Sequence, residues 1–252
     1  MAGAMGGAGM TRILVTRPEP DAAATLSRLN ALDIEAIAAP LMVRETLEVS
    51  LPPPDGFSAM VVTSANAIRS LVDRGVIDDY RHLPVLAVGE RTAREAQGAG
   101  FERVSSAAGA LGDLVNAIRI SGLPGPIFYP TGKHGSGDLA KALAPLGIMV
   151  ATARIYDMVA REALPPAALA ELEAGTIDAV LVYSRRTAEI YTRLAAHLSA
   201  AQKRSLSMLC ISEQAAEPLL EAHWNRISLA DRPEEDAMMA LALAFAREQT
   251  GP

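Results

Sequence analysis

One stretch near the start of the chain returns in its second half. Ile13–Ile34, ILVTRPEPDAAATLSRLNALDI, lies without a gap over Ile127–Ile148, IFYPTGKHGSGDLAKALAPLGI, with Leu29 on Leu143, Leu32 on Leu146 and Ile34 on Ile148. Further along, AMVVTS at Ala59–Ser64 matches AVLVYS at Ala179–Ser184, and LAVGE at Leu86–Glu90 matches LCISE at Leu209–Glu213. Three matches in one order indicate an internal duplication, and the fold must then be built from two similar halves.

Each matched unit has one grammar: a short run of β-branched and apolar residues, a polar turn, then an amphipathic helix. Met60–Val62 leads through Thr63-Ser64-Ala65-Asn66 into Ala67–Arg74, and Val85–Val88 leads through Gly89-Glu90-Arg91-Thr92 into Ala93–Gly98. Strands that alternate with helices in this way predict parallel sheets covered on both faces, joined by right-handed crossovers. The expected fold class is therefore α/β, with two doubly wound parallel-sheet domains. Two stretches break the grammar. LMVRETLEV at Leu41–Val49 and RIYDMVARE at Arg154–Glu162 mix apolar and charged residues in partial alternation. They read as extended connectors, a two-stranded linker if they pair with each other. Residues alone leave open whether the domains are consecutive or whether the chain starts one, builds the other and returns.

With 252 residues, either arrangement has enough chain for two cores. Residues 1–9 read as a disordered extension or an expression remnant, and nothing there has the basic-then-apolar order of an export signal. No apolar run reaches the roughly 18 residues of a membrane span, so no membrane partner is expected and the cytoplasm is the default location. A net charge of −6 without a lysine-arginine run argues against a nucleic-acid groove. The single cysteine, Cys210, lies in an apolar run and reads as a buried, inert thiol.

Open parallel sheets bind ligands beyond the carboxyl ends of their strands. Six turns would lie there: Thr16-Arg17, Thr63-Ser64-Ala65-Asn66, Gly89-Glu90-Arg91-Thr92, Thr131-Gly132-Lys133, Ser184-Arg185-Arg186 and Ser212-Glu213-Gln214. Their Ser, Thr and Asn side chains are ordinary helix caps. The same turns also offer free backbone N–H groups and the positive end of a helix dipole, which bind anions. The loop YPTGKHGSG, Tyr129–Gly137, resembles a nucleotide loop but fails the test. Six residues lie between Gly125 and Gly132 where a nucleotide loop has four, and His134 stands where a Ser or Thr would reach magnesium. His82, His134, His197 and His223 lack paired metal spacing, so no metal and no cofactor is expected. No nucleophile elbow is present either.

The set ILVTRPEPDA, VVTSANAI, LAVGERTA, YPTG, ARIYDMV and LVYSRRTAEIY, in this order over roughly residues 12–230, resembles the uroporphyrinogen-III synthase family of tetrapyrrole biosynthesis. The resemblance implies a discontinuous first domain, 11–40 with 160–252, a second domain, 50–152, and connecting strands at 41–49 and 153–159. It implies a cofactor-free lyase that closes hydroxymethylbilane, a linear octacarboxylate, to uroporphyrinogen III with loss of water and inversion of ring D. By the same resemblance Thr63, Ser64, Thr92 and Ser184 match family positions that, with Gly132 and Lys133, would hold substrate carboxylates, and Tyr156 would donate a proton to the departing hydroxyl. The turns add Arg17, Asn66, Arg91, Thr131, Arg185 and Ser212 as substrate contacts. Expected partners are the small-molecule tetrapyrrole and, in the pathway, hydroxymethylbilane synthase, with the chain itself a monomer. Where many relatives have Gly-Pro-x-Thr-Ala, this chain has Ser212-Glu213-Gln214-Ala215-Ala216, and Glu213 would repel an anion. The competing class is a non-catalytic two-domain sensor of a small anion.

Overall fold

The computed structural model describes residues 10–107, 111–123, 125–134 and 138–250. Residues 1–9, for which an extension was expected, and the Gly135–Gly137 end of the loop lie outside the described residues. In chain order the elements are β1 (Arg12–Val15), α1 (Asp21–Asn30), β2 (Glu35–Ala38), β3 (Met42–Thr46), β4 (Ala59–Val62), α2 (Ala65–Asp73), α3 (Ile77–Tyr80), β5 (Val85–Val88), α4 (Glu90–Gly98), β6 (Val104–Ala107), α5 (Leu111–Ser121) and β7 (Ile127–Gly132). They continue with α6 (Leu139–Leu143), β8 (Val150–Ala160), α7 (Pro166–Ala174), β9 (Ala179–Val182), α8 (Arg185–Leu194), α9 (Ala200–Ser205), β10 (Ser207–Cys210), α10 (Glu213–Glu221), β11 (Ile227–Leu229) and α11 (Glu235–Thr250).

Two compact units result. Residues up to Val43 and those from Ala160 onward make unit 1, and Arg44–Val159 make unit 2. Unit 1 holds a five-stranded sheet in the order β11-β10-β9-β1-β2, with every pair parallel. The second sheet has the order β3-β8-β7-β4-β5-β6, parallel from β8 through β6. At its edge Leu47 N–H donates to the Ile155 carbonyl, and Arg161 N–H donates to the Leu41 carbonyl. That register makes the two connector segments antiparallel. β8 is one strand of eleven residues: its first half continues the parallel sheet beside β7, and its second half pairs with β3.

The matching stretches occupy equal places. β1 and β7, β9 and β4, and β10 and β5 stand at the same positions of the orders β11-β10-β9-β1-β2 and β6-β5-β4-β7-β8.

The strands read as unbroken apolar runs because both of their faces are covered. AMVV of β4, AVLV of β9 and SMLC of β10 are buried throughout. Alternation splits them between two cores. Met60 and Val62 point to one side with Ile68, Leu71, Phe128 and Tyr156, while Ala59 and Val61 point to the other with Leu114, Ile118, Ile127 and Tyr129. In unit 1, Ile13, Val15, Leu181 and Leu209 pack with Leu29 of α1 and with Met238 and Ala242 of α11. Each such large side chain contributes about 1.5–3 kcal/mol on leaving water. Side-chain caps set where several helices start: Ser64, Ser184 and Ser212 accept backbone N–H groups of α2, α8 and α10. All three serines therefore stand at carboxyl ends of strands, where the chain turns from sheet to helix. Among the described residues no helix is long and apolar enough to cross a membrane.

Candidate active site

In unit 2 the ends of β4 and β7 and the middle of β8 bring a group of hydroxyls together. β4 ends at Val62, so Thr63 and Ser64 follow at its carboxyl end. Ser64 is extended (φ −153°, ψ 138°), and its Oγ accepts the Asn66 N–H at 3.2 Å. On the adjacent β7, the Tyr129 hydroxyl lies 3.2 Å from Thr63 Oγ1 and accepts from Thr131 Oγ1 at 3.3 Å. Tyr129 and Thr131 are buried.

β8 supplies Tyr156. The β7–β8 register shifts between Thr131 and Gly132, which sets Gly132 opposite Tyr156. A Cβ on Gly132 would stand 2.8 Å from Cε2 and Cζ of the Tyr156 ring and 3.0 Å from its hydroxyl, so only glycine admits the ring here. The next residue closes the arrangement, with Lys133 N–H donating to the Tyr156 carbonyl at 2.8 Å. Tyr156 is 8% exposed. Burial pushes its phenol pKa up, with Tyr129 adding to the rise, against a hydrogen bond with Ser64 and the charge of Arg44. The phenol is therefore protonated well beyond neutral pH.

Beside Tyr156 stands Asp157, buried, with Oδ2 3.2 Å from Lys133 Nζ and Oδ1 3.5 Å from His134 Nε2. Burial acts to raise its carboxyl pKa, but the Lys133 ammonium, His134 and the Met158 N–H outweigh burial and hold it below the usual range. Arg44 lies in the same unit and is engaged by Thr46 and Ser70 at 3.0 Å and by Asp73 at 2.6 Å. Asn66, expected at the ligand, has Nδ2 3.5 Å from Met158 Sδ and accepts from Arg69 at 3.3 Å. Arg91 and Thr92 lie in the first turn of α4, whose start is Gly89 at φ 80° with no side-chain cap, and Thr92 is buried.

Four expected contacts fall in unit 1, at the ends of neighbouring strands β1, β9 and β10. Arg17 does not stand free: it donates to Thr25 at 3.0 Å, pairs with Glu235 and with Asp21 at 3.5 Å, and stacks 4.3 Å over the Tyr183 ring. Arg185 pairs with Glu189 at 3.1 Å and with Glu217. Ser184 accepts the Thr187 N–H at 3.1 Å, and Ser212 accepts the Ala215 N–H at 3.4 Å. Glu213, flagged as repulsive, is the first residue of α10 and is exposed.

Two residues of unit 2 were missed from sequence. Tyr129 hid inside a strand-like apolar run, where it reads as core. Asp157 had a signal, since it is the one acid in ARIYDMV. A buried acid needs a partner, and Lys133 and His134 supply it.

The family model described as uroporphyrinogen-III synthase HemD matches residues 23–240. Among solved structures, the uroporphyrinogen-III synthetase of Helicobacter pylori is 20% identical over 94% of this chain and 100% of its own, with a TM-score of 0.66. A mutant uroporphyrinogen III synthase of Thermus thermophilus is 17% identical, covers 94% of this chain and 98% of its own, and has a TM-score of 0.50. At such identities these likenesses speak for the fold. No curated protein matches the chain.

Proposed function

The chain belongs to the uroporphyrinogen-III synthase HemD family, and on that premise we propose how its residues close hydroxymethylbilane to uroporphyrinogen III. The substrate carries eight carboxylates and a terminal hydroxyl. Left alone it closes without inversion to the I isomer, so catalysis consists largely of folding the chain and steering which carbon attacks.

Tyr156 is the general acid. Its buried phenol keeps its proton at neutral pH, and the close approach to Gly132 fixes the ring. The proton passes, directly or through water, to the leaving hydroxyl while the pyrrole nitrogen pushes its electron pair into the ring. The C–O bond breaks, water departs and an azafulvene cation remains. The substituted carbon of ring D attacks that cation to give a spiro intermediate. Fragmentation and reclosure through the other carbon invert ring D, and loss of a proton restores aromaticity. No net oxidation occurs.

Thr63, Ser64, Thr131, Gly132 and Lys133 of unit 2, the α4 start at Arg91 and Thr92, and Ser184 and Ser212 of unit 1 are the proposed carboxylate contacts. The helix starts support this reading, because N–H groups and dipoles hold anions. Arg17 and Arg185 contribute less, since acids already engage them. The chain works as a monomer in the cytoplasm, alongside the hydroxymethylbilane synthase whose unstable product it consumes.

The observation that carries the reading is the buried Tyr156 seated against Gly132 in a chain of this family. It is tested by supplying freshly prepared hydroxymethylbilane and resolving the isomers by chromatography. The expected product is the III isomer, whereas only the I isomer at the uncatalysed rate would overturn the reading.

A further inference from the structure

Lys133 is placed to meet a substrate carboxylate, yet its ammonium is already committed. It lies 3.2 Å from Asp157 Oδ2, and its backbone N–H is bound to the Tyr156 carbonyl, so both ends of the residue are tied to consecutive residues of β8. The Lys133 side chain is 59% exposed and Asp157's only 12%, so the acid is the fixed partner and the lysine the adjustable one. Asp157 Oδ1 is buried and accepts no hydrogen bond, with His134 Nε2 3.5 Å away. A buried carboxylate beside a polyanion site is a liability unless it serves to hold cations.

We propose that Asp157 is a positioning residue for the cyclisation: it holds the Lys133 ammonium, with the His134 ring alongside, where one substrate carboxylate binds. This inference rests on the synthase reading. A long lysine side chain left to itself samples many rotamers, and ordering it costs free energy at the moment of binding. Asp157 orders it beforehand. The incoming carboxylate then shares the ammonium with Asp157, and Lys133 still has protons to donate to both, since an ammonium carries three. The backbone bond from Lys133 to Tyr156 links that carboxylate to the acid, so placing the one places the other.

A double-mutant cycle tests this with freshly prepared hydroxymethylbilane, reading KM, kcat and isomer composition for the unaltered chain, Asp157→Asn, Asp157→Glu, Lys133→Met and the pair Asp157→Asn with Lys133→Met. We expect Asp157→Asn to raise KM about fivefold, the scale of a partly exposed ion pair, with kcat little changed. Asp157→Glu should recover part of that loss. In the Lys133→Met background, Asp157→Asn should change KM by less than about twofold, because the two side chains act as one. An unmoved KM in Asp157→Asn, or an equal loss in both backgrounds, would overturn the positioning role, the second result marking a merely structural acid. If the unaltered chain forms no III isomer, the synthase reading falls and this inference with it. If it forms III isomer while Asp157→Asn is silent, only this inference falls.

Discussion

Gly132 and Tyr156 fit together so closely that a single methyl group between them would lie 2.8 Å from the phenol ring. The backbone of Gly132 is not in the left-handed region, so it is the close approach, and not its φ, that requires glycine. Glycine thus fixes how far the ring can sit from the end of β7.

Gly132→Ala is expected to displace Tyr156 from its seat. Overpacking of this kind costs about 1–3 kcal/mol. Because the ring belongs to the proposed acid, the loss should appear mainly in kcat, by about tenfold or more. Steady-state kinetics with a thermal melt checks it: a normal kcat would show that the ring position does not matter.

Ser184 caps α8 and is also a proposed carboxylate contact, and two substitutions separate these roles. Ser184→Ala removes the cap and should lower stability by about 1 kcal/mol. Ser184→Asp keeps a cap acceptor and adds negative charge, so the melting temperature should hold while KM rises. If Ser184→Asp binds substrate as well as the unaltered chain does, Ser184 is a cap alone.

Burial pushes the Cys210 thiol up to about 12, against an ordinary value near 8.5. A raised pKa means the folded state keeps a proton that the unfolded state gives up. Its contribution is fully present below about pH 8.5 and is lost as pH rises toward the folded value. Denaturant titrations should therefore show stability falling with pH in that window. Cys210→Ala should make the fall shallower by up to about 1.4 kcal/mol per pH unit. Identical slopes would mean that the thiol is not protected.

The parallel architecture was legible because strands covered on both faces leave continuous apolar runs, as AMVV, AVLV and SMLC do, and because their repetition signalled two similar halves. β8 was harder to read. One strand serves two partners in turn, and RIYDMV carries no mark of where the parallel pairing ends and the antiparallel edge begins. The turns were legible as helix starts, since Ser64, Ser184 and Ser212 are serines followed by helical patterns. Engagement of the charged residues was not. Arg17 reads as a free cation after a strand, but its partner Glu235 stands 218 residues away in sequence, at the start of α11. Asp157 and Lys133 likewise meet only because β7 and β8 pair.

The most direct measurement of the central claim is the rate of uroporphyrinogen III formation by Tyr156→Phe beside the unaltered chain, with uroporphyrinogen III binding measured on both. Phenylalanine keeps the ring against Gly132 and removes only the hydroxyl. The account predicts that turnover falls by about 100-fold or more, within the range of general acid catalysis, while product binding changes by less than about threefold, as the small net loss of one hydrogen bond allows. Unchanged turnover would contradict it and remove Tyr156 from the chemistry.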